Sequence, residues 1–143
     1  GVDVVNRQNL QGAWIRGQAW LQSEYFFQQT LRQMSLPDYR SHGGYLSAGW
    51  VFNAPPRRIV RGMLMQPAVP QGQLGGEIVA RVGHVDLNDH GITGGKLGEW
   101  TVGATAYVGS YLKLQANVSQ SYLDRNSAHH RLRAVQLRTQ VFF

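Results

Sequence analysis

Apolar and polar positions alternate with a period of two through much of this chain, most plainly near its C-terminus. In residues 101–108 the even positions Val102, Ala104, Ala106 and Val108 are apolar, while Thr101, Gly103, Thr105 and Tyr107 are small or polar. That spacing predicts a strand with one apolar face. After Gly109-Ser110 the alternation resumes: Leu112, Leu114, Ala116 and Val118 fall on one side, and Lys113, Gln115, Asn117 and Ser119 on the other. The two segments predict a hairpin. A last run, 135–143, sets Val135, Leu137, Val141 and Phe143 against Gln136, Arg138 and Gln140.

The earlier chain follows the same rule. Residues 10–32 carry enough apolar side chains for a helix, but helical spacing from Trp14 meets Gly17 and Gln18. Period two fits better, with Ala19, Leu21, Tyr25, Phe27 and Leu31 on one face. Gln18, Gln22, Glu24, Gln28, Thr30 and Arg32 share the other with Trp20 and Phe26. This predicts strands at about 9–16 and 18–32 around a tight turn at Gly17. Residues 1–9 show no clear period, and 33–43 read as a polar loop. Residues 44–53 predict a strand with Leu46, Ala48, Trp50 and Phe52 outward, ended by Pro55-Pro56. From Arg57 to Gly76 there is no sustained alternation, which predicts a long connection with one short strand near 59–65. Residues 77–84 return to period two, with Ile78, Ala80 and Val82 out and Glu77 and Arg81 in. A Gly-rich loop at 88–98 and a basic, His-containing loop at 124–132 complete a pattern of about seven strands.

Composition decides what the apolar faces meet. Only 15% of the 143 residues are charged, against roughly 25% in a typical soluble domain. Gln, Gly, Ser and Asn take the place of charge on the polar faces, which suits a wet lumen as well as a solvent surface. No apolar run approaches the roughly 18 residues of a spanning helix, so membrane residence would be by strands. The formal net charge is +6, which favours anionic partners. There is no cysteine, hence no disulfide framework. The chain starts at Gly1 without an initiator Met or signal peptide, so it is expected to be processed or part of something longer.

Several stretches together resemble one family. Val85-Asp-Leu-Asn-Asp89, Gly94-Gly95, Trp100-Thr-Val-Gly103 with Tyr107, Leu112-Lys-Leu114 with Asn117, and Leu137-Arg138 before Phe143 are similar, in order and spacing, to the C-terminal part of the phosphate-selective porins O and P. Tyr45 to Phe52 resembles the strand before that family's periplasmic turn. The resemblance covers residues 42–143 well and 9–32 by strand pattern. Departures are Asn53-Ala-Pro-Pro56 at a turn that usually carries an acidic residue, Phe142 at the penultimate acidic position, and Gly109-Ser110 at an Asn-Pro-Asn type turn. The resemblance implies an all-β, antiparallel transmembrane β-barrel. Residues 1–143 would then be one barrel segment of a sixteen-stranded wall, a homotrimer in the outer membrane of a Gram-negative bacterium. It implies a diffusion channel for small anions such as phosphate or polyphosphate, with lipid as its surroundings, and Phe143 as the aromatic recognised for insertion.

Candidate chemistry is that of a charged lumen. Arg32, Arg81, Lys113 and Arg138 all fall on polar faces, where cations lower the barrier to anions and repel cations. The plainer reading pairs Arg81 with Glu77 and makes Arg138 a cross-strand brace. Asp86-Leu-Asn-Asp-His-Gly91 resembles the start of a calcium loop, but Leu97 stands where a bidentate Glu belongs. Gly91-Ile-Thr-Gly-Gly-Lys96 is one residue short of a phosphate loop. His42, His84, His90, His129 and His130 have no cysteine to help them and fit solvated positions better than a metal site. No nucleophile elbow or paired carboxylates point to catalysis, so no enzyme, cofactor or metal is expected. Cations are spread over turns and faces, not clustered with stacking aromatics, which argues against nucleic acid. Trp14, Trp20, Trp50 and Trp100, with Tyr25, Tyr45, Tyr107 and Tyr122, are candidates for interfacial girdles. The rival to the channel is a soluble antiparallel barrel or sandwich binding an anionic ligand, and the two differ in whether the apolar faces meet lipid or a dry core.

Overall fold

The computed structural model describes residues 2–32, 37–89, 91–125 and 128–142, and no helix occurs among them. Seven long strands form one antiparallel meander: β1 (Val2–Arg16), β2 (Ala19–Arg32), β3 (Tyr39–Phe52), β6 (Leu74–Asp89), β7 (Ile92–Val108), β8 (Leu112–Arg125) and β9 (Ala128–Val141). A two-stranded hairpin, β4 (Arg58–Val60) and β5 (Met63–Met65), stands within the connection between β3 and β6. The main sheet is open, with β1 and β9 at its edges.

Register keeps the alternation coherent from strand to strand. Ala19, Trp50, Ile78, Ala104, Ala116 and Leu137 stand opposite one another across six strands. One residue along, Val51, Glu77, Thr105, Gln115 and Arg138 form the matching row on the other face. A slip of one residue in any pair would carry a polar row into the apolar face, so the pattern itself holds the register.

The apolar face is bare. Val102 is 53% exposed, Leu114 41% and Leu137 81%. Among the described residues the buried hydrophobic side chains are Trp20, Val51, Val69 and Tyr107, which belong to the polar face or to the connection folded over it. Burial therefore sits on the side where sequence alternation is polar, the reverse of a water-soluble sheet.

The apolar face is also banded along the strands. On β8 the outward series runs Leu112, Leu114, Ala116, Val118 and then Gln120, Tyr122, Asp124. On β9 it runs Val141, Thr139, Leu137, Val135 and then Arg133, Arg131, His129. On β6 it passes from Ile78, Ala80 and Val82 to His84 and Asp86. Strands of 14 to 17 residues outlast the roughly 9–11 that cross a bilayer. The surplus lies at the end away from the Gly17 and Gly109 turns.

Several expectations change here. Residues 2–8, which lack a period, belong to β1, and 39–43 belong to β3. The loops expected at 88–98 and 124–132 are mostly strand, since β6 reaches Asp89, β7 starts at Ile92, β8 reaches Arg125 and β9 starts at Ala128. Beyond the apolar band both faces of a strand are polar, so period two disappears although the ladder continues. Apart from the Gly91 turn, the described residues of the stretch likened to a calcium or phosphate loop are thus strand, with Lys96 bound to Asp86 at 2.8 Å. One short strand near 59–65 is in fact two, joined at Arg61-Gly62, both at positive φ, which gives the backbone a tight two-residue turn. The long connection emerges at the same end of the sheet as the Gly17 and Gly109 turns. Phe143 and His90 lie outside the described residues.

Candidate functional site

The connection of residues 53–73 folds back over the polar face. Gln18 donates through Nε2 to the Ala54 carbonyl at 3.1 Å. Val69 and Pro67 are buried, and the β4–β5 hairpin faces Gln11, Ala13 and Gln22 across a gap of about 310 Å³.

Glu77 is the point to which this connection is tied. It is 1% exposed and accepts from Trp20 Nε1 at 2.7 Å and from the Tyr107 hydroxyl at 2.8 Å. Arg57 closes the site with two bonds, Nε to Oε1 at 2.5 Å and an NH2 nitrogen to Oε2 at 2.8 Å. A carboxylate so deep in protein is tolerable only with its charge paired and its lone pairs filled. The guanidinium also lies 4.7 Å from the centre of the Trp20 ring. Burial alone would lower the Arg57 pKa, but its bonds to Glu77 outweigh that and raise it. Gly49 stands opposite Trp20 on β3, and a Cβ there would overlap the indole, so glycine is what lets Trp20 lie across the sheet toward Glu77.

All four cations singled out from sequence lie on the polar face, and the structure brings two of them together. Lys113 is paired with Gln140, and Arg138 with Gln115, the next residue on that face of β8, so Lys113 and Arg138 are diagonal neighbours. Lys113 lies 5.7 Å from the Tyr107 ring, which places this pair beside the Glu77 cluster. Arg81 sits further along, 3.9 Å from the Tyr45 ring. It does not pair with Glu77, whose acceptors Arg57 takes. Arg32 lies at the projecting end over Tyr39, at 5.6 Å, and joins neither group.

Sequence reasoning counted no residue of the connection among the lumen cations. Residues 53–73 hold Arg57, Arg58 and Arg61 and no carboxylate. With Glu77 neutralised by Arg57, Lys113 and Arg138 have no carboxylate partner among the described residues. The signal was visible as composition, but nothing local said that the stretch turns back over the sheet.

The aromatic candidates divide. Trp14, Trp50, Trp100, Tyr25 and Tyr122 are on the apolar side, whereas Trp20, Tyr45 and Tyr107 are on the polar face and serve the interactions above. His42 and His84 meet edge to face at 6.2 Å on the outward side of β3 and β6. No group of three potential metal ligands occurs among the described residues. Compared with known families, the chain matches the sequence model of phosphate-selective porin O and P over residues 2–143. No curated protein and no solved structure gives a significant match.

Proposed function

The chain belongs to the phosphate-selective porin O and P family, a family of channels and not of enzymes, and from that premise we propose that its polar face lines a water-filled path for small anions such as phosphate or polyphosphate. The observation that carries this reading is the cationic connection 53–73 laid over that face beside Lys113 and Arg138, with the Glu77 carboxylate already neutralised by Arg57. Fixed positive charge in a confined, partly desolvated passage attracts anions and excludes cations. Lys113 and Arg138 would hold an anion at the level of the connection. Arg81 would meet it further along, and Arg32 would stand at the mouth.

The surrounding assembly follows from the same physics. Bare Leu137, Val135 and Val102 suit contact with lipid, in the outer membrane of a Gram-negative bacterium. The soluble alternative would have to leave this band in water or cover it with another protein. Free ladder groups on β1 and β9 cannot face hydrocarbon, so further strands complete the wall. Residues 1–143 are then one segment of a sixteen-stranded barrel, three of which associate.

Single-channel recording of the full-length protein tests the proposal. In phosphate and chloride solutions the reversal potential should report anion preference over potassium, and neutralising Lys113 and Arg138 together should reduce it. A pore that favours potassium in the unaltered protein would overturn the reading.

A further inference from the structure

The outward face of β9 changes character at one position: Val135 and Leu137 are 74% and 81% exposed, and the next two outward residues are Arg133 and Arg131. Both guanidiniums are exposed, and neither has a carboxylate partner among the described residues. Of the carboxylates of that outward region, Asp86 pairs with Lys96 at 2.8 Å, and Asp124 lies 3.6 Å from His129, a half-exposed contact that is an ion pair only when the imidazole is protonated.

The two arginines are held in place by neutral groups. Arg133 donates through Nε to Gln120 Oε1 at 2.9 Å. Gln120 donates in turn to the Tyr122 hydroxyl, and Arg131 lies 5.3 Å from the centre of the Tyr122 ring. Each contact fixes a guanidinium without neutralising it. A pair so held is suited to a phosphoryl group, which guanidinium binds through charge and directed N–H donors. Directly beneath it lies an apolar column of about the right chemistry for an acyl chain.

We propose that Arg131 and Arg133, with the Val135–Leu137 column below them, form a site for a phosphorylated lipid of the leaflet nearer the projecting strand ends. The inference rests on the reading that the apolar face meets lipid. Charge complementarity and the position of the pair, one outward step beyond the apolar band, select this occupant over a soluble anion. A further strand would occupy the edge of β9 through its backbone and leave this face free.

The test is native mass spectrometry of the full-length protein in non-ionic detergent, titrated with phosphatidic acid or with phosphatidylcholine of the same acyl chains. The unaltered protein should retain phosphatidic acid about tenfold more strongly, and the double variant Arg131→Gln/Arg133→Gln should lose that preference. Its single-channel conductance should stay within about twofold, since the pair lies on the opposite face from the anion path. Equal retention of the two lipids, or a preference that survives in the double variant, overturns the site. A double variant that changes oligomeric state while lipid preference is absent throughout assigns the arginines to contact between copies, and also overturns it. Absence of any conductance in the unaltered protein would instead strike the channel reading, so the two failures are distinguishable.

Discussion

The two ends of the sheet are made from the same strands and handle charge in opposite ways. At the turn end Glu77 is sealed under a folded connection, with Trp20, Tyr107 and Arg57 filling its acceptors. At the projecting end Asp86 and Lys96 meet on the open outward face, the lysine 61% exposed. One pair exists because protein covers it; the other exists because water allows it. Charge buried by tertiary contact is costly to leave unpaired, whereas charge at a wet strand tip is interchangeable with solvent.

The sharpest way to break this contrast is to remove the buried acid. Glu77→Ala should strand Arg57 and two neutral donors and cost about 3–5 kcal/mol, measured by thermal unfolding in detergent. Trypsin should then cut the native barrel at Arg57, whose side chain is 15% exposed while the connection is docked. If the variant melts unchanged and resists trypsin, Glu77 is not what ties the connection down.

Next in size is the bare apolar band. Val102→Arg should cost roughly 2–4 kcal/mol for a barrel in a bilayer, with the penalty falling toward the band's borders. Folding titrations in vesicles read the cost directly, and a neutral outcome would mean that this face does not meet hydrocarbon.

A smaller effect is expected from Lys113→Gln with Arg138→Gln. These side chains lie beside the sealed cluster without being part of it, so the fold should survive while anion preference drops by a few-fold. Reversal potentials in a salt gradient measure it.

Smallest of all is the projecting tip. The hydrogen bond from Lys96 holds the Asp86 carboxyl below its usual range, helped by the Asn88 backbone N–H. A depressed carboxylate pKa means that its contribution is present above the unfolded value and is lost as pH falls through the folded one. Acidification should therefore loosen the β6–β7 tip. Protection of the tip amides, measured against their intrinsic exchange rates, should drop below about pH 4 while the barrel as a whole stays folded. Asp86→Asn should abolish the pH dependence.

Much of this molecule was legible as spacing. Period two in 101–108 and 112–119, the Gly17 turn, and the apolar sets Leu46/Ala48/Trp50 and Ile78/Ala80/Val82 locate strands and their faces correctly. Lys113, Arg138, Arg81 and Arg32 fall on the polar face for the same reason. The family also stood in the order of Val85–Asp89, Gly94-Gly95 and Leu137-Arg138. Spacing failed wherever strands leave the apolar band, at 2–8, 88–98 and 124–132, because a strand wetted on both faces has no periodicity to read.

Sequence alone determined which side of each strand is oily and which is wet, since in a strand that assignment is fixed by local geometry every second residue. It could not determine that residues 53–73 return over the polar face, nor that Glu77 pairs with Arg57 instead of Arg81. Those depend on contacts between segments up to 57 residues apart, and the affinity of a carboxylate for a guanidinium is the same whichever arginine the folded chain delivers.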